Sequence, residues 1–212
     1  KTFLNFNKEG YSHTNKINPY IFTKDLSKIC GEDTIIFMDG NVIMNYVMQS
    51  FQIKKNQRLI TASGLDNIGF SLPASLGLDN LKDFKNLAVL CEESTLSNTL
   101  DHINYIKNSS LSIKIIVFSD IKNIALMNSQ KDFFGSRFVA TDTNNYTNNF
   151  IKKFPYKDYK FNFEILKNPK KYFVQLKDLM SNNNNYVVLV EIDKDHKIIP
   201  KMGFDINYSG NW

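Results

Sequence analysis

Two adjacent carboxylates, Glu92 and Glu93, stand where the apolar run Leu87-Ala88-Val89-Leu90-Cys91 gives way to a helical pattern in Leu96, Leu100, Ile103 and Ile106, opened by Ser94. A strand that runs into a helix N-terminus is where α/β proteins hold phosphates and metals. Carboxylate oxygens suit a hard divalent cation. The plainer reading is that the two acids complement the helix dipole, for about 0.3–1 kcal/mol each. Asp120 closes a second apolar run, Ile113–Phe118, and is either a further oxygen donor or an N-cap. Cys91, at the end of a buried run, reads as a packed thiol rather than a nucleophile. His13, His102 and His196 occur in unrelated contexts and read as surface residues.

The elements that must position these groups follow from the apolar pattern. Pro19 opens a helix through Ile21, Phe22, Leu26 and Ile29 that Gly31 stops. Thr34–Met38 is a strand ending at Asp39-Gly40-Asn41, followed by a helix over Val42–Phe51. Arg58–Thr61 is a second strand, and Gly69, Ala74 and Gly77 behind it suit close packing. The third strand is Leu87–Cys91, with a helix to about Lys107, and the fourth is Ile113–Phe118. A short helix over Ile124–Gln130 precedes an aromatic loop with Phe133, Phe134 and Arg137, which would cap the site or form a dimer contact. Residues 144–154 carry a weak helical pattern. Tyr159–Ile165 and Tyr186–Ile192 are strands around an amphipathic helix over Pro169–Leu179.

Strands that are apolar runs rather than alternating ones, separated by helices, describe a buried parallel sheet. The fold class is therefore α/β, doubly wound, with a mostly parallel six-stranded sheet and helices on both faces. Residues 1–18 read as a linker or arm from a preceding domain, 19–200 as the domain, and 201–212 as a polar tail. In such a sheet the loops at Asp39–Asn41, Ala62–Ile68, Cys91–Ser94 and Ser119–Lys122 would line one edge, beyond the carboxyl ends of the strands.

A hydrophobic content of 42% is ample for one core in 212 residues, which argues against global disorder. The net charge is +5, but the lysines are scattered and the arginines are only Arg58 and Arg137. Nucleic-acid binding is therefore not expected. No apolar run approaches the ~20 residues of a membrane span. Cys30 and Cys91 are too few for a disulfide framework, so a cytoplasmic setting is expected. The sequence starts at Lys1 without Met, as a piece of a longer protein would.

Together, the loops resemble the diphosphate-binding C-terminal domain of thiamine-diphosphate-dependent enzymes, most closely that of acetolactate synthases. The stretch Leu59-Ile60-Thr61-Ala62-Ser63-Gly64-Leu65-Asp66-Asn67-Ile68-Gly69-Phe70-Ser71-Leu72-Pro73-Ala74 carries most of the likeness. It continues through Leu87–Asn98, Lys114–Asp120, Phe133–Arg137 and Val187–Pro200, covering about residues 19–200. The resemblance implies thiamine diphosphate and Mg²⁺ as cofactors. Ile68 would prop the bent cofactor, and the Asp66 carbonyl would accept from its aminopyrimidine. Gly40 and Asn41 would lie against the diphosphate, with Glu93 and Ser94 beside it. Glu92, Asp120 and the backbone carbonyl of Lys122 would hold the metal.

The resemblance further implies decarboxylation of a 2-keto acid and carboligation, in a transferase or lyase. The alternatives are another 2-keto-acid decarboxylase, or a non-catalytic relative serving as an assembly or regulatory module. No catalytic residue is assigned, because in that family the activating glutamate sits on a separate pyrimidine-binding domain. The isolated chain is thus expected to be inactive, and its partners to be a second copy in a dimer or tetramer, or such a domain or subunit. Cys91-Glu92-Glu93-Ser94 stands where the family has Gly-Asp-Gly followed by Ser or Ala. Glu93 would oppose a diphosphate, by about 4 kcal/mol for charges roughly 4 Å apart at an effective dielectric of about 20. Weak cofactor binding or none is expected from that departure.

Overall fold

The computed structural model describes residues 15–62, 65, 69–80, 86–119, 124–141, 151–193 and 196. Six strands form one sheet in the order β2-β1-β3-β4-β6-β5. They are β1 (Ile35–Met38), β2 (Arg58–Thr61), β3 (Asn86–Glu92), β4 (Ser112–Ser119), β5 (Phe161–Leu166) and β6 (Asn185–Glu191). Every pairing is parallel. The helices are α1 (Pro19–Ile29), α2 (Asn41–Ser50), α3 (Ser71–Leu76), α4 (Glu93–Thr99), α5 (Ile103–Ile106), α6 (Ile124–Phe133) and α7 (Tyr172–Ser181).

Alternation along the central strands divides the core into two layers. Ile36, Met38, Ala88, Leu90, Ile116, Phe118, Val188 and Val190 pack with Phe22 and Leu26 of α1, Ile43 and Tyr46 of α2, and Leu176 of α7. Ile35, Phe37, Leu87, Val89, Cys91, Ile115, Val117 and Leu189 pack instead with Leu72 of α3, Leu96 of α4, and Ile103 and Ile106 of α5. Both faces are covered, so the strands read as continuous apolar runs.

Local chemistry sets the ends. Asn18 accepts the N–H groups of Tyr20 at 2.9 Å and Ile21 at 3.2 Å, and Pro19 at the first helical position needs no donor there. The polar stretch before α1 is not wholly an arm, because Ile17 is fully buried and forms a parallel bridge with Ile192. The helix expected to run to Lys107 is interrupted by a 3-10 turn at Leu100–His102. The Thr99 hydroxyl donates back to the Thr95 carbonyl at 3.0 Å, a side-chain bond that competes with the helical ladder. β5 begins at Phe161 rather than Tyr159, since Tyr156–Tyr159 is a 3-10 turn closed by Lys160 at φ +61°. Among the described residues, no helix is long and apolar enough to cross a membrane.

Candidate functional site

From β1 the chain crosses to β2 on one side, then returns past β1 to β3 on the other. Successive connections therefore diverge between β1 and β3, and the crevice beyond their carboxyl ends is where open parallel sheets take ligands. Asp39 and Gly40 follow β1 there, and Cys91 and Glu92 end β3. The Asp39 N–H donates to the Leu90 carbonyl at 3.0 Å, holding the two ends together one residue past the strand. Gly40 is the N-cap of α2, and no side chain caps that helix. The first-turn N–H groups of α2 thus open at this crevice, carrying the positive end of the helix dipole.

β3 was expected to stop at Cys91 and turn through two acids. Instead it continues through Glu92, which pairs in register with Phe118 and has extended backbone, φ −91° and ψ 164°. The next residue, Glu93, already begins α4. Glu92 is 9% exposed and shares the sheet face of Ala88 and Leu90, beneath α2. It lies close to Tyr46, whose pKa is raised by burial first, then by Tyr20, Glu92 and Asp193. Glu93 is half-buried in the first turn of α4, and Ser94 is exposed.

Asp39 occupies the other face. It is 3% exposed, and its Oδ1 accepts the Ser71 N–H at 2.9 Å at the start of α3. Burial raises its pKa above the ordinary carboxylate value, while Ser71, the Phe70 N–H and the Thr95 hydroxyl pull the other way. Cys91 lies between the acids, and its thiol is pushed well up by burial first and then by Asp39 and Glu92. A buried thiol held protonated is a poor nucleophile, as the sequence suggested.

Gly40, Asn41, Glu92, Glu93 and Ser94 therefore fall along one edge of the sheet, at and beyond the carboxyl ends of β1 and β3. Asp66, Ile68, Asp120 and Lys122 lie outside the described residues. Among the described residues, no three His, Cys, Asp or Glu side chains gather as a metal-binding group. Among the buried polar atoms near this edge, Asp39 Oδ2, Tyr46 Oη, Ser71 Oγ and Ser119 Oγ, the last at the end of β4, find no hydrogen-bond partner among the described residues. Asp39 and Tyr46 were not singled out from sequence. An Asp closing an apolar strand directly before a glycine was the signal for the first, and Tyr46 carried none.

His196 corrects a further expectation. It is 4% exposed, with its ring centroid 5.0 Å from that of Tyr20, so it is not a surface residue. His13 lies outside the described residues. Phe133, Phe134 and Phe138 are exposed at the end of α6 and beyond it. A cavity of about 80 Å³ opens at the opposite, amino edge between Gly31, Asp33, Asn86, Lys114 and Met180. It is small beside the roughly 300–1,000 Å³ of cofactor pockets. The Lys114 Nζ that lines it is engaged by Ser112 Oγ at 2.8 Å and by the carbonyls of Asn182 at 2.9 Å and Asn184 at 2.6 Å.

The fold is an all-parallel α/β domain whose strand order reverses direction between β1 and β3. A family model described as thiamine pyrophosphate enzyme, C-terminal TPP binding domain, matches residues 40–191, and the chain belongs to that family. An acetolactate synthase large subunit of Lactococcus lactis subsp. lactis is 24% identical over 124 residues, 57% of this chain and 22% of that relative. A mitochondrial acetolactate synthase catalytic subunit of Aspergillus candidus is 23% identical over 128 residues, 59% of this chain and 18% of the relative. The matched stretch thus spans about a fifth of each relative's length.

Proposed function

We propose that this chain is the cofactor-binding domain of an acetolactate-synthase-like enzyme, one that decarboxylates a 2-keto acid and ligates the product to an acceptor. The observation that carries this is the uncapped N-terminus of α2 at Gly40, set across the β1–β3 crevice from Glu92. The residues fit the group at those two points. Backbone N–H groups of α2 would receive the diphosphate, with the helix dipole favouring its charge. Glu92 would supply a carboxylate oxygen to Mg²⁺. The cofactor, when bound, supplies the electron sink for the keto-acid carbon. The chain's own part is to hold and orient it, while Tyr46, kept protonated by burial, backs Glu92 beneath α2. A separate domain or subunit, or a second copy of the chain, would supply the group that activates the cofactor.

Calorimetric titration of the full-length protein tests this. Binding of thiamine diphosphate that requires Mg²⁺, and that weakens in Glu92→Ala, is the expected result. Absence of any binding to the wild-type protein overturns it. A second reading, a non-catalytic module with the same fold, is favoured by one observation: Glu93 puts a carboxylate in the first turn of α4, beside the crevice. Carbon dioxide release from pyruvate by the loaded full-length protein excludes the module. Binding without release favours it for this substrate.

A further inference from the structure

We propose that Lys114 is a carbamoylation site: its amine, held at the wall of the amino-edge cavity, adds to isocyanic acid, the small linear electrophile that cyanate gives on protonation. The inference is independent of the cofactor-binding reading, since this cavity lies at the opposite end of the sheet. β4 is paired on both sides, with Lys114 in register with Ala88 and Tyr186, so the strand fixes where the side chain starts. Its Nζ lies 2.9 Å from the Asn182 carbonyl, 2.6 Å from that of Asn184 and 2.8 Å from Ser112 Oγ. Among the described residues no carboxylate pairs with it, although it is only 3% exposed. Asp33 also lines the cavity, but its Oδ2 accepts from Asn86 Nδ2 at 2.7 Å. The centroid of the Tyr186 ring is 5.8 Å from Nζ. On α7 the neighbouring charged groups, Lys177 and Asp178, are exposed.

A buried ammonium with no counter-charge gives up hydration that nothing repays in full, so burial favours the neutral amine and lowers the pKa to about 8. The surrounding oxygens suit that neutral form. Two N–H groups go to the two carbonyls, and the lone pair is left to the Ser112 hydroxyl, a rotor that can donate to it or turn away. The cavity, about 80 Å³ in volume, has the room of roughly two or three waters at about 30 Å³ each. That admits isocyanic acid and excludes a bulky acyl group. In the addition Nζ bonds to the central carbon, the C=N π pair moves onto the isocyanate nitrogen, and the proton lost by the amine joins that nitrogen. Nothing leaves, and no oxidant, reductant or further reactant is consumed. The product is a neutral urea, so no charge is newly buried. Carbon dioxide has the same shape, but its adduct would be an anion facing two carbonyl oxygens.

The test treats the native full-length protein with cyanate at pH 7 and reads the modified fraction of each lysine by peptide mass spectrometry. An amine of pKa about 8 is roughly a tenth neutral there, against less than about a thousandth for an ordinary lysine. Lower basicity offsets part of that gain, as it does for thiols. Lys114 is therefore expected to react about tenfold or more faster than exposed lysines such as Lys107, Lys157 and Lys177. Two controls tie the rate to the fold. The same treatment in guanidinium chloride should erase the preference, and a bulky aryl succinimidyl ester should modify the exposed lysines of the native protein ahead of Lys114. Lys114 reacting no faster than the exposed lysines, a preference that survives unfolding, or a lead with the bulky ester as well overturns the proposal.

Discussion

Gly69 and Thr99 meet where the β2–α3 connection crosses α4: Gly69 has φ +87°, and a Cβ built there would stand 2.9 Å from Thr99 Cγ2. Two costs would fall on any side chain at this position. The left-handed backbone disfavours an L-residue by about 1–2 kcal/mol, and the methyl contact forces a shift of similar cost. Gly69→Ala is expected to lose about 2–4 kcal/mol in urea unfolding. Adding Thr99→Ser should return the steric share only, because the remaining hydroxyl can keep its bond to the Thr95 carbonyl. A coupling energy of about 1 kcal/mol or more between the two changes is the predicted outcome, and additive effects would show that the contact is not made.

Glu93 should act on stability and on ligand binding with opposite signs. Its carboxylate in the first turn of α4 favours the helix dipole, so Glu93→Gln should lower unfolding stability by about 0.3–1 kcal/mol. The same charge opposes an anion in the crevice. Removing it should raise the affinity of the full-length protein for Mg²⁺-pyrophosphate severalfold at low salt. Half-exposed charges are screened over about 10 Å at 0.1 M salt, so wild type and variant should converge as salt rises. Equal affinities at low salt would mean that the Glu93 carboxylate does not face the ligand.

What the sequence disclosed depended on whether local chemistry or long-range packing decided each residue. α1 was legible because Pro19 and the stripe Ile21, Phe22, Leu26 and Ile29 act within a few positions, while its Asn18 cap came only with the structure. The strands were legible because a sheet buried on both faces leaves no polar alternation. That the segments Asp39–Asn41 and Cys91–Ser94 share one edge was legible from the order of strands and helices. Lys114 shows where pattern reading ends. It sits inside β4 at 3% exposure, and burial lowers its pKa to about 8. Its stem runs to the amino edge, where two carbonyls from the turn before β6 receive the ammonium, and no local signal announces those acceptors. Glu92 differs again: whether it closes a strand or opens a turn was settled by its pairing with Phe118 in β4. The Asp39 carboxyl finds its donor in the Ser71 N–H, 32 residues away.

His196 gives the fold a pH dependence whose sign follows from its surroundings. The segment after β6 is held by the Asp193 N–H on the Ile17 carbonyl at 2.9 Å, and His196 then packs against α1. There its ring lies 5.0 Å from Tyr20, with Nδ1 3.4 Å from Asn18 Nδ2. Burial lowers the pKa of His196 below 6.5, and the Asp193 carboxylate offsets only part of that. The unfolded chain therefore takes up a proton near pH 6.5 that the folded chain still refuses. The stability that His196 contributes is complete above about pH 6.5 and is lost as pH falls from there toward the lower folded pKa. His196→Leu, neutral at every pH, should unfold with a shallower acid dependence between about pH 7 and 5, the other titrating groups being common to both proteins. Parallel stability profiles for wild type and His196→Leu would show that the imidazole takes up its proton as readily folded as unfolded.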